Sequence, residues 1–162
     1  MFKKIYMLLN CGYLNSRNIY YCDLGNDFTK IEEFPSKNWL LFAIADKGQL
    51  GLLYSFAEKC LDRNVLYICG AGSEIDDAFD SVIVDSRLAS SNRDLTQNDF
   101  DDSPMTTWHR DFDEGFWFFV TTASREKEII EQVVVANITE ESYEVRIKDL
   151  VAKISSGWLP PD

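Results

Sequence analysis

Trp39-Leu40-Leu41-Phe42-Ala43-Ile44-Ala45 is an unbroken apolar run, closed by Asp46. A strand with one wet face alternates apolar and polar residues. A continuous run of this length predicts a strand covered on both faces, which is the signature of a parallel sheet between two helical layers. Pro35-Ser36-Lys37-Asn38 leads into the run as a turn.

Working outward, the pattern changes period. Leu50, Leu53, Tyr54, Ala57, Cys60 and Leu61 recur at helical spacing, which predicts a helix over 49–62. Val65–Cys69 is a second short apolar strand, turned by Gly70-Ala71-Gly72. Ser73 can cap a helix that starts at Glu74 and carries Phe79 inward. Residues 90–103 are polar, acidic and loop-like. Met105–Trp108 predicts a strand, and Asp111 with Glu114 three residues later reads as a capping box for a helix over 112–123. Gln132–Ile138 is the last strand. Thr139-Glu140-Glu141 can cap a terminal helix that Gly157 and Pro160-Pro161 end. At the other end, Lys3–Leu9 and Asn18–Cys22 are strand candidates around a turn at residues 10–16. The alternation predicts one α/β domain over residues 1–162. It is a three-layer sandwich with a largely parallel sheet and an N-terminal edge hairpin.

Charge is distributed unevenly. The chain has 162 residues and a formal net charge of −11. Residues 74–114 hold twelve acidic side chains against Arg87, Arg93 and Arg110, and so carry nine of those eleven charges. Such a segment attracts cations and repels phosphate, so nucleic-acid binding is not expected. No stretch is apolar over the length that a membrane span needs. Lys3-Lys4 is followed by only five apolar residues before Asn10 and by no small-residue cleavage site, so the start reads as a strand rather than a signal peptide. Four cysteines without a CxxC pair suit a reducing compartment, and a cytoplasmic location is expected.

Met105-Thr106-Thr107-Trp108-His109, then Asp111, Glu114 and Phe116-Trp117-Phe118, resembles a signature of a family of uncharacterised bacterial proteins. Cys60, Leu66-Tyr67-Ile68-Cys69-Gly70 and Asp76-Asp77 echo the same family. The resemblance implies an α/β fold and a role for the Thr-Trp-His segment. It implies no activity.

Open parallel sheets bind ligands outside the carboxyl ends of their strands. Asp46, the Gly70 turn with Ser73, and Thr107-Trp108-His109 all fall at such ends. His109 is the only histidine. It could act as a general base oriented by Asp46 or Asp111, with Cys69 as nucleophile. The plainer reading is a structural imidazole and an inert buried thiol. Gly70-x-Gly72 falls short of a dinucleotide turn, because Ile75 stands where the third glycine belongs and acidic residues crowd the helix start. Asp76, Asp77, Asp99, Asp101 and Asp102 could attract a divalent cation, but they lack calcium-loop spacing, so solvated charge is the plainer reading. No cofactor and no metal are expected.

Three functions remain. The first is a small acidic binding protein, such as an immunity or inhibitor protein that neutralises a basic protein like a toxin nuclease. It would bind through Asp76, Asp77, Asp99, Asp101, Asp102 and Trp108. The second is an enzyme or small-ligand binder at the carboxyl rim, using His109, Asp46 and the Gly70 turn. The third is an accessory domain that forms a homo-oligomer through its aromatic surface.

Overall fold

The computed structural model describes residues 8–71, 81, 104–124 and 128–162. Six strands form one sheet: β1 (Leu9–Leu14), β2 (Arg17–Asp23), β3 (Trp39–Ile44), β4 (Tyr67–Ala71), β5 (Met105–His109) and β6 (Gln132–Asn137). Their spatial order is β1-β2-β6-β3-β4-β5. β1 pairs antiparallel with β2, and every other neighbour pair is parallel. The expected α/β sandwich with a largely parallel sheet and an edge hairpin is therefore what this chain folds into.

The apolar run is the reason. All six residues of β3 are buried, between β6 on one side and β4 on the other. Alternate side chains enter two separate cores. Trp39, Leu41 and Ala43 point to a layer made by a 3-10 turn at Phe28–Glu33 and by helix α1 (Leu53–Leu61), through Phe28, Ile31, Phe56 and Cys60. Leu40, Phe42 and Ile44 point to the opposite layer, made by α2 (Phe112–Thr121) and α3 (Glu144–Ser155). Phe42 meets Phe112, Phe116 and Phe119 at ring-centroid distances of 5.5, 5.5 and 5.3 Å. Leu41, Phe42, Ile44, Leu53, Phe56, Tyr67, Phe116, Phe119, Val134 and Val135 are all buried within these two cores.

Several boundaries differ from expectation. The segment read as the first turn is strand β1 itself, and the turn is Asn15-Ser16. Both residues have positive φ, 50° and 63°. A two-residue hairpin turn needs that conformation at both central positions, and Asn adopts it readily. Gly12, at φ 143°, follows a register shift in β1, and a Cβ there would lie 2.8 Å from Val151 of α3. The glycine marks a bulge under a helix rather than a chain reversal. The helix expected over 49–62 opens as a 3-10 turn at Lys47–Leu52, because Asp46 and Gln49 form a reciprocal capping box there. The terminal helix begins at Glu144, since Thr139 bonds Asn137 and Glu141 instead of capping it. The helix expected from Glu74, with Phe79, lies outside the described residues.

Candidate functional site

The rim formed by the carboxyl ends of β2, β6, β3, β4 and β5 is the surface that the topology favours. The chain leaves β3 for the α1 layer and leaves β6 for the α3 layer. Neighbouring strands whose exits diverge open a crevice at their ends. Ile138 N–H donates to Ile44 O at 3.0 Å and ties the two exits together.

Asp46 stands at the end of β3, exposed, and its carboxylate accepts from Gly48 N at 2.8 Å. It is committed to capping the turn that follows. Gly70 pairs with Trp108 across β4 and β5, and Ala71 pairs with His109. The Trp108 ring lies directly over Gly70. Gly70 and Ala71 thus belong to β4 rather than to the expected turn, Gly70 is covered on the α1 face by an aromatic side chain, and Gly72 lies outside the described residues. Ser73, the fourth residue expected at this rim, lies outside the described residues. So do Asp76, Asp77, Asp99, Asp101 and Asp102.

His109 is half-buried on the opposite face, at the end of β5. Its ring sits 4.9 Å from Phe118, and Gly115 of α2 leaves room for its Cβ. Nε2 is buried and has no hydrogen-bond partner among the described residues. Burial lowers the imidazole below its ordinary pKa, partly opposed by Glu114. A neutral ring with a spare nitrogen can accept or donate a proton. Cys69 is fully buried, its Sγ 3.9 Å from Gly115 O. Burial pushes its thiol up to about 12, the opposite of what activates a nucleophile. Asp111 is an N-cap that accepts from Glu114 N at 2.8 Å and does not orient the imidazole.

The densest polar arrangement at the rim lies three strands away from β5, on β6 and β2, at residues the sequence did not single out. Asn137, 1% exposed at the end of β6, donates from Nδ2 to Asp23 Oδ1 at 2.9 Å. Its Oδ1 accepts from Thr139 N at 3.0 Å and from Thr139 Oγ1 at 2.7 Å. The Tyr21 hydroxyl donates to Asp23 Oδ1 and accepts from Tyr143 N at 2.8 Å. Ser142 Oγ donates to Asp23 Oδ2 at 2.9 Å. The signal was an Asn closing the apolar strand Val133-Val134-Val135-Ala136 and an Asp closing β2. Two polar residues ending parallel neighbours meet at the same level of the sheet, and Asp23 and Asn137 are register partners. Buried amides of this kind must be satisfied, and here they are.

Among the described residues, no group of three or more His, Cys, Asp or Glu could hold a metal ion. No helix among them is long and apolar enough to cross a membrane. No curated protein and no solved structure matches the chain. Residues 19–154 match the model of a family described as a domain of unknown function, DUF7684, and the chain belongs to that family.

Proposed function

We propose that this chain is a small, cytoplasmic, acidic binding protein that neutralises a basic protein partner, in the manner of an immunity or inhibitor protein facing a toxin nuclease. The observation that carries the reading is the charge of residues 74–114, which hold nine of the eleven net negative charges. Acidic side chains can occupy a surface that a nuclease builds for phosphates, and a concentrated field accelerates encounter. The segment leaves the sheet from β4 and returns to it at β5. Asp76, Asp77, Asp99, Asp101 and Asp102 are the contact residues of this reading, with Trp108 at its edge. The reading includes a bacterial source, one domain over the whole chain, and Met105–His109 with its following helix as the segment that the family shares.

The test is capture from a bacterial lysate on the immobilised chain, followed by association kinetics with the captured protein. Exposed charges are screened beyond about 8 Å at physiological ionic strength, so association should slow as salt rises. Replacing Asp99, Asp101 and Asp102 together by Lys should slow association while leaving the thermal melt in place. A salt-independent rate, or a captured partner that is itself acidic, would reject the reading.

A second reading has its own observation. The buried Nε2 of His109, without a hydrogen-bond partner among the described residues, suits a small ligand with a hydrogen-bonding group at the sheet's carboxyl rim. His109→Ala would abolish an activity or ligand-induced stabilisation of that kind, and unchanged values in the variant would remove it.

A further inference from the structure

The first acidic residue of this chain is Asp23; the twenty-two residues before it carry only Lys3, Lys4 and Arg17. Of these, Arg17 lies within the described hairpin. It is 7% exposed, and its Nη1 donates inward to Phe119 O at 3.2 Å. The hairpin β1–β2 up to Cys22 therefore presents no exposed charge, on a chain whose net charge is −11.

Among the described residues the hairpin is also an outer edge of the sheet, with β1 outermost. One face of β1 is backed by α3, where Cys11 and Leu14 join the core of Phe119, Leu150 and Val151. The other face carries Tyr13 opposite Asn18, and Asn10 opposite Tyr20. Tyr13 is 64% exposed. Edge strands resist pairing through charged side chains, proline or bulges. β1 has neither charge nor proline. Among the described residues its one protective feature is the bulge, where Gly12 N–H is already taken by Asn10 Oδ1 at 2.9 Å. The open part of the edge is therefore centred on Tyr13.

We infer that this edge is an interaction surface for a second copy of the same chain, related by a twofold axis and meeting through Tyr13 of β1. Charge selects the occupant. Two copies at −11 repel each other, and a charge-free edge is where they approach at least cost. An uncharged Tyr and Asn surface is complementary to itself, as an isologous contact requires. Tyr supplies large contact area with little side-chain entropy to lose. The inference stands independently of the acidic-segment reading, and the two respond oppositely to salt. Binding of a basic partner weakens as salt rises. Self-association of like-charged copies strengthens.

Sedimentation equilibrium of the full chain tests this at about 0.01 M and about 1 M salt, where the Debye length falls from about 30 Å to about 3 Å. The expected result is a monomer–dimer equilibrium that tightens with salt. Tyr13→Lys should weaken the dimer at least about tenfold, a loss of about 1.4 kcal/mol. Leu159→Lys, at a residue 68% exposed on the C-terminal tail, should leave it unchanged. If Tyr13→Lys fails to fold by circular dichroism, Asn10→Lys carries the same expectation. A monomer under every condition would overturn the inference. So would a Tyr13→Lys or Asn10→Lys protein that dimerises as wild type does, or open-ended growth that weakens with salt.

Discussion

The ring of Trp108 occupies the space where a side chain on Gly70 would begin. A Cβ built on Gly70 would lie 2.1 Å from Cζ3 and 2.2 Å from Cε3 of Trp108. Carbons that are not bonded to each other do not sit that close. The glycine is thus required by packing between register partners on β4 and β5. Gly70→Ala should destabilise the fold by about 1–3 kcal/mol, the range for overfilling a packed site. Adding Trp108→Leu should restore part of the loss. Urea denaturation of the single and double variants measures both. A Gly70→Ala protein as stable as wild type would show that Trp108 moves aside freely.

Tyr21 ties the edge hairpin to the terminal helix. Its hydroxyl accepts from Tyr143 N–H at 2.8 Å and donates to Asp23. Tyr143 is the N-cap residue of α3 and has no side-chain cap of its own. Tyr21 thus completes a helix start 122 residues along the chain. Tyr21→Phe strands the Tyr143 donor and should cost about 1–3 kcal/mol. Amide exchange should speed up in the first turn of α3 and stay unchanged in α1. Burial, with Asp23 adding to it, pushes the phenol up from 10.0 to about 12. A raised folded pKa stabilises below the unfolded value and is lost as pH rises through the folded one. Stability should therefore fall between about pH 10 and about pH 12 in wild type, and this component should vanish in Tyr21→Phe.

The fold was legible where burial decides the residue type. β3 and β6 are covered on both faces, so nearly every position is apolar and the run announces itself. The strand expected at Lys3–Leu9 lies almost wholly outside the described residues, and the turn expected at residues 10–16 is instead β1, an edge strand with a bulge. Its Asn10 and Gly12 serve the bulge, and locally they look like turn residues. The site was less legible for a different reason. His109 and Asp46 do fall at strand ends, as the apolar runs predict, whereas Gly70 lies within β4 because the strand runs on to Ala71. Whether Asp46 faces a cleft or caps a turn depends on Gly48 and Gln49 three-dimensionally, and spacing alone does not separate the two. The Asn137–Asp23–Tyr21 cluster joins residues more than a hundred positions apart. It becomes visible only once β6 is known to lie beside β2. That order requires β6 to be inserted between β2 and β3, against the sequence order, and no local pattern encodes it.

The thiols offer a direct check on burial. Cys22, Cys60 and Cys69 are buried, and Cys11 is half-buried on the edge strand. Burial raises the thiol of Cys22 to about 11 and that of Cys69 to about 12. Thiolate is the reacting species, so a neutral disulfide reagent should modify Cys11 first. The remaining three should react only at the rate of unfolding. Mass spectrometry after timed labelling assigns the sites. Rapid modification of Cys69 in the native protein would reinstate it as a nucleophile beside His109.

His109, the one histidine, gives the chain a pH dependence that can be isolated by a single substitution. Its folded pKa lies below the ordinary 6.5, chiefly because burial beside Phe118 disfavours the imidazolium, with Glu114 acting in the opposite direction. The sign follows from linkage. Below 6.5 the unfolded chain takes up a proton that the folded chain does not, so the unfolded state gains. This component of stability is complete above the unfolded pKa. It declines as pH falls from there toward the folded pKa and then levels off. Urea denaturation from about pH 8 to about pH 5, the range in which histidine titrates, should show it in wild type. His109→Gln keeps a polar side chain and removes the titration, so the difference between the two curves should contain this component alone. Proton NMR of the single imidazole gives the folded pKa independently. A midpoint at or above 6.5 would mean that Nε2 finds a partner in solution that favours the imidazolium, and the rim at His109 would then be the first place to look for a bound anion.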